Sequence, residues 1–161
     1  MFALSGPNFD GNLFTKQALD KGAIAVVIDN PKSNINDDRV IVVENSLSAL
    51  QKLATHHREQ LNTKLIALTG SNGKTTTKEL IREVLSAKYK VLATEGNLNN
   101  HIGVPLTLLQ LKADHEIGII EMGANHYGEI AALAEITKPY WGYITNFAKA
   151  HLEGFGSLEG V

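Results

Sequence analysis

The chain contains no cysteine. Disulfides and thiolate metal sites are thereby excluded, and the composition suits a cytoplasmic protein. Neither sign of charge is in large excess: 15 Lys and Arg stand against 17 Asp and Glu, for a net charge of -2. No basic patch argues for nucleic acid as a partner. No apolar run approaches the ~20 residues that a membrane helix needs. The N-terminus lacks the basic region and apolar stretch of a secretory signal. No internal repeat and no low-complexity segment interrupts the chain. With 161 residues it can bury a real core, as one large domain or as a small lobe plus an incomplete larger one.

The strongest feature present is Leu65-Ile66-Ala67-Leu68-Thr69-Gly70-Ser71-Asn72-Gly73-Lys74-Thr75-Thr76. A strand-like apolar run meets a glycine turn, then a lysine and threonines, then a helical pattern. That is the build of a phosphate-binding loop. Gly70 and Gly73 permit a tight turn whose N–H groups face phosphate oxygens, and the following helix adds its positive N-terminal dipole. Lys74 can reach β- and γ-phosphates, and the Thr75 hydroxyl can ligate Mg2+. Leu68 stands where the strict pattern has its first glycine. A dinucleotide fold is disfavoured: Glu95 could serve a ribose, but the G-x-G-x-x-G fingerprint is missing. The Asn-Lys-x-Asp motif that reads guanine is missing too.

Periodicity and punctuation predict the elements around this loop. Met1 to Leu4 reads as a short strand. Asn12 to Lys21 reads as a helix with Leu13, Phe14, Ala18 and Leu19 on its apolar positions and Gly22 at its C-cap. Ile24 to Ile28 and Val40 to Val43 read as buried strands, separated by a polar loop. Ser46 should cap a helix running to Leu61, with Leu47, Leu50 and Leu53 inward. His56 and His57 on that helix read as a solvated or half-buried pair. Asn62 to Lys64 is a polar boundary. Beyond it come a helix over Thr75 to Ala87 with Leu80, Ile81, Val84 and Leu85 on one face, and a strand over Lys90 to Thr94. A helix over Gly103 to Leu111 follows, with Pro105 in its first turn, then a strand over Ile117 to Met122. Last come a helix over Glu129 to Ile136 and a strand over Tyr143 to Asn146. The fold class is therefore α/β. A small N-terminal α/β lobe (1–62) precedes an incomplete P-loop-type parallel sheet with helices on both faces (63–161).

Ligands of such sheets lie at the C-terminal strand ends. Glu121 ends an apolar strand there and can hold Mg2+ or orient a water, or else be a helix-capping or surface glutamate. His151 follows the last strand and reads as a metal or phosphate contact, or as a loop histidine. Gly96-Asn97-Leu98-Asn99-Asn100-His101-Ile102-Gly103 is rich in asparagine, which suits a sugar, a peptide backbone, a base edge or simple turn formation.

Four ordered blocks resemble the Mur ligases. They are Gly70 to Thr75, Gly96 to Pro105, Glu121-Met122-Gly123-Ala124-Asn125-His126-Tyr127-Gly128-Glu129-Ile130, and Ala150-His151-Leu152-Glu153-Gly154-Phe155-Gly156-Ser157. Asn125-His126, Gly128-Glu129-Ile130 and His151 to Ser157 are similar to the MurF type, and Phe2-Ala3-Leu4, Gly6 and Asn8-Phe9-Asp10-Gly11 are similar to part of that family's N-terminal lobe. The resemblance implies an ATP-dependent amide ligase of peptidoglycan synthesis, joining D-alanyl-D-alanine to UDP-N-acetylmuramoyl-tripeptide through an acyl phosphate. ATP and Mg2+ are the implied cofactors. Gly70, Ser71, Asn72, Gly73, Lys74, Thr75 and Thr76 would bind ATP. Lys74, Glu121 and His151 would be catalytic, and Thr75, Glu121 and His151 would ligate metal. Asp10, Gly11, Asn99 and Asn100 would meet substrate. Family members are longer and carry a carbamate-bearing lysine and an amine-binding domain further on. The chain is therefore expected to be a fragment that is inactive by itself. A tripeptide-forming Mur ligase, a folylpolyglutamate synthase, a P-loop kinase and a non-catalytic binding module are the alternatives.

Overall fold

The computed structural model describes residues 1–33 and 35–148. His151 and the block around it lie outside the described residues. Packing divides the chain into Met1–Lys52 and Leu53–Val161.

In the first unit, β1 (Ser5–Gly6) pairs antiparallel with β2 (Phe9–Asp10). A 3-10 turn over Gly11–Phe14 leads into α1 (Thr15–Asp20). β3 (Val26–Ile28) and β4 (Val40–Val42) run parallel, and Phe2 bridges to Val27. Ala3, Leu19, Val26 and Ile28 form its buried core. α2 (Ser46–Glu59) carries the chain across the division between the units.

Four local expectations change here. Asn12 to Lys21 is not one helix: the first turn is 3-10, with fewer residues per turn, so Leu13 and Phe14 leave the inward face and are exposed. Phe14 instead stacks on Phe9 with ring centroids 5.7 Å apart. Ile24 precedes β3 and is exposed, and Ile41 and Val42 of β4 are exposed because their side chains find no cover on the faces of this two-stranded sheet among the described residues. Asn45, not Ser46, caps α2: its Oδ1 accepts the Ser48 N–H at 2.7 Å. Leu53 is exposed, and Ala54 takes the buried position beside it.

The Ser46 N–H is held by Asp29, whose carboxylate accepts it at 3.0 Å and accepts Asn12 Nδ2 at 3.0 Å. The Ser46 N–H draws the Asp29 pKa below its ordinary value; partial burial opposes this and the Asn12 side chain adds to it. A depressed carboxylate contributes stability that is complete above its unfolded pKa and is lost as pH falls through the folded one. The resistance of the first unit to denaturant should weaken as pH drops below ~4. Asp29→Asn should flatten that acid limb. An unchanged acid limb in this variant would place the titrating group elsewhere.

In the second unit the elements alternate. β5 (Lys64–Thr69), α3 (Lys74–Ser86), β6 (Val91–Ala93), α4 (Gly103–Leu108), β7 (Ile117–Glu121), α5 (Glu129–Thr137) and β8 (Trp141–Ile144) follow in order. The strands form one sheet, ordered β6-β7-β5-β8, and every pairing is parallel. Strand alternation sends Leu65, Ala67, Ile120 and Met122 to one face, where they pack with Val104 and Leu108 of α4 and Leu133 of α5. α3 covers the other face, so helices flank both sides as expected. Pro105 does stand in the first turn of α4. α5 stops at Lys138, whose φ of 46° is left-handed, immediately before Pro139.

The inward face of α3 differs from the expected one. Leu80 and Val84 are exposed, and Lys78 is buried in their place. β8 is exposed at all four residues.

Candidate functional site

Register brings the strand ends together. Glu121, the last residue of β7, pairs with Leu68 of β5, and the chain leaves β5 directly into Gly70. Glu121 and the glycine loop therefore share the C-terminal edge of the sheet, although they are far apart in sequence.

The loop is shaped by the segment after β8. Gly70 has φ +135°, and a Cβ there would lie 2.1 Å from Thr145 Oγ1. Ser71 N donates to Asn146 O at 3.1 Å, and Asn72 N donates to Asn146 Oδ1 at 3.1 Å. Thr145 Oγ1 and Asn146 Nδ2 both donate to Asn72 O, at 2.7 and 3.0 Å. Ser71 Oγ donates to Ala148 O and accepts from Ala148 N, both at 2.9 Å. These contacts refine the sequence reading. The Ser71 and Asn72 amides already have partners, whereas the first N–H groups of a helix have none within it, which here are those of Lys74, Thr75 and Thr76. Gly73, with φ 76°, makes the entry to α3. Lys74 Nζ folds back onto Gly70 O at 2.6 Å, so the ammonium lies over the loop. Thr75 and Thr76 are exposed at the first turn of α3.

Glu121 is 2% exposed. Its Oε1 accepts Asn99 Nδ2 at 2.9 Å, and its N–H donates to Thr94 Oγ1 at 2.9 Å. Oε2 is buried without a hydrogen-bond partner among the described residues. Lys78 Nζ lies 3.9 Å from it. Glu121 is thus neither a surface residue nor a helix cap.

A buried carboxylate oxygen with an unused lone pair is the donor that Mg2+ prefers. The residues present fit that ion on this count. Among the described residues no three His, Cys, Asp or Glu cluster. Few protein ligands is the usual Mg2+ condition, since phosphate and water supply the rest.

The asparagine loop divides by role. Asn99 is tied to Glu121, and its carbonyl accepts the Gly123 N–H at 2.8 Å. Asn100 Oδ1 accepts the N–H groups of Ile102 and Gly103 at 3.0 and 2.9 Å and so starts α4. Glu129, the first residue of α5, reaches back instead: it accepts the Asn125 and His126 N–H groups of the preceding loop, which draw its pKa down against the opposing effect of burial. His57 is half-buried and its Nε2 lies 2.9 Å from Leu111 O.

Asp10 and Gly11 lie in the other unit. Asp10 caps the 3-10 turn by accepting Asn12 Nδ2, Asn12 N and Ser5 Oγ, which lower its pKa in that order. A Cβ on Gly11 would lie 2.5 Å from Leu4 O. The centre of this cluster is Asn12, 3% exposed, whose Oδ1 also accepts the Asp29 and Asn30 N–H groups. Nothing in the sequence pattern marks Asn12, Lys78 or Asn146. Each looks like an ordinary polar residue until its neighbours in space are known.

The model of the Mur ligase middle domain matches residues 68–161. The chain is 44% identical to the UDP-N-acetylmuramoyl-tripeptide--D-alanyl-D-alanine ligase of Bacillus subtilis, over 98% of this chain and 35% of that protein. It superposes on a MurF crystal structure from Acinetobacter baumannii with a TM-score of 0.90 and 41% identity, covering 98% of this chain and 35% of that one. The MurF ligase of Thermotoga maritima, solved in complex with ADP, gives a TM-score of 0.90 and 39% identity, covering 98% of this chain and 36% of that one. The chain thus spans about a third of the length of these relatives. With the family model matching 94 of its 161 residues, from Leu68 to Val161, the chain belongs to the Mur ligase family.

Proposed function

We propose that this chain is the nucleotide-binding part of an ATP-dependent ligase that joins D-alanyl-D-alanine to UDP-N-acetylmuramoyl-tripeptide. The observation that carries the reading is the placement of Glu121 beside the Gly70–Thr75 loop at one sheet edge, with Oε2 lacking a hydrogen-bond partner among the described residues. The relatives' names and the ADP complex of one of them support it.

In this reading Lys74 leaves the Gly70 carbonyl for the β- and γ-phosphates, and the N–H groups opening α3 hold the same oxygens. Thr75 and Glu121 would hold Mg2+, which supplies charge neutralisation during phosphoryl transfer. His151 would be a further metal ligand. Asn99 keeps Glu121 in place, and Asn100 meets substrate by virtue of the loop that it anchors. The substrate carboxylate attacks the γ-phosphate, the bond to the β-phosphate breaks and ADP leaves, giving an acyl phosphate; the D-alanyl-D-alanine amine then displaces phosphate and loses a proton to form the amide. Aligning these groups is the main task left to the protein. The lobe 1–62, with Asp10 and Gly11, would face the UDP portion. The setting is cytoplasmic, without membrane or nucleic acid.

The test is to incubate the longer protein that carries this chain with both substrates and Mg-ATP, and to look for the UDP-linked pentapeptide by mass spectrometry. Product with folate and glutamate instead would transfer the reading to another amide ligase. The chain of 161 residues alone should bind Mg-ATP without forming product. Product at a rate near that of the longer protein would overturn this.

A further inference from the structure

Lys78 is the bulkiest of the fully buried side chains, at 1% exposure. It lies one helical turn beyond Lys74, on the face of α3 that meets the sheet. Burying an ammonium is costly unless its charge and its donors are both answered. Two of its three N–H donors are answered, by Thr94 O at 2.6 Å and by Glu79 Oε1 at 3.1 Å. Glu79 is solvent-accessible, so its share of the charge balance is screened. Among the described residues the other acid within ion-pair distance of Lys78 is Glu121, which is as buried as Lys78 itself.

Both residues are also fixed through one intermediary. Thr94 accepts from Lys78 through its carbonyl and from the Glu121 N–H through its hydroxyl. The carboxylate and the ammonium are thereby held 3.9 Å apart, which is too far for a hydrogen bond and close enough for strong attraction in a dry environment. Glu121 Oε2 keeps its lone pairs, while its charge is still compensated.

We propose that Lys78 is an internal counter-cation for Glu121. It balances the buried carboxylate while no metal is bound, and it leaves Oε2 open for Mg2+. A lysine donating directly to Oε2 would block that lone pair, and a site without any cation would hold an isolated buried charge. Lys78 is a positioning residue: it acts on nucleotide and metal through Glu121 alone. The metal half of the proposal rests on the functional reading given above.

The experiment is a double-mutant cycle on the chain, read by urea unfolding without nucleotide and repeated with Mg2+. Lys78→Met should lower the folding equilibrium constant by ~10²-fold or more, since it breaks a buried pair. In a Glu121→Gln background the same substitution should cost at least ~10-fold less, because no charge is then orphaned. Mg2+ should raise the urea midpoint of Lys78→Met more than that of the parent chain, because the ion replaces the lost cation. Equal cost in both backgrounds would overturn the proposal and leave Lys78 as an anchor of α3 to Thr94. So would a Mg2+ effect that is the same for variant and parent, or absent in both. If Lys78→Met does not fold but the double variant does, the pairing is supported; if neither folds, it is overturned. Failure of the nucleotide reading shows separately, as an absence of Mg-ATP binding by the parent chain in calorimetry.

Discussion

Replacing Lys74 by alanine should weaken Mg-ATP binding by about ten- to a hundredfold. The lysine ammonium sits over the loop, 2.6 Å from Gly70 O, and no other lysine side chain bonds to the loop among the described residues. A hydrogen bond to a charged group is worth ~1.5–3 kcal/mol, and that range converts to one or two decades in Kd. Truncation also frees the Gly70 carbonyl, but this group can turn to water, so the fold should hold. Calorimetric titration of variant and parent measures the effect. Unchanged affinity would mean that Gly70 to Thr75 is not the phosphate site.

Gly103→Ala should destabilise the second unit by about 3 kcal/mol or more, at or beyond the upper end of ordinary overpacking. A Cβ there would lie 2.4 Å from both the Cα and the carbonyl carbon of Leu98, and 2.7 Å from its oxygen. These are backbone atoms, so relief requires the whole turn to move. Asn99 follows directly, and its hold on Glu121 would loosen with the turn. Urea unfolding should show the loss, and Mg-ATP affinity should fall with it if Asn99 orients Glu121. A variant as stable as its parent would show that residues 97–100 can shift freely.

Much of the second unit was legible in the amino-acid order. α3 starts within one residue of its expected position, and β7 ends at Glu121 one residue early. Such elements are marked by local chemistry: β-branched runs, glycine turns and a proline in a first turn. The first unit was less legible because its elements are short. A 3-10 turn and a helix of six residues present too few periods to separate from one continuous helix. The cap of α2 was misplaced by one residue because Asn45 and Ser46 are both good caps, and only the Ser48 N–H bond distinguishes them.

The inward side of α3 shows a different kind of limit. Hydrophobicity argues for Leu80 and Val84, yet both are exposed while Lys78 is buried. A lysine enters a core only when an acceptor and a counter-charge are waiting for it, and here these are Thr94, directly after β6, and Glu121, at the end of β7, both elsewhere in the chain. Asn146 is similar: its role in clamping the loop arises because β8 pairs with β5. The amino-acid order was enough for the phosphate loop, the parallel α/β class and the family, since each depends on residue types at fixed short spacing. Tertiary structure alone decided which loop amides are already bonded, that Glu121 Oε2 has no hydrogen-bond partner among the described residues, and that a buried ammonium faces it. Those facts depend on which strands become neighbours, and no local spacing encodes that.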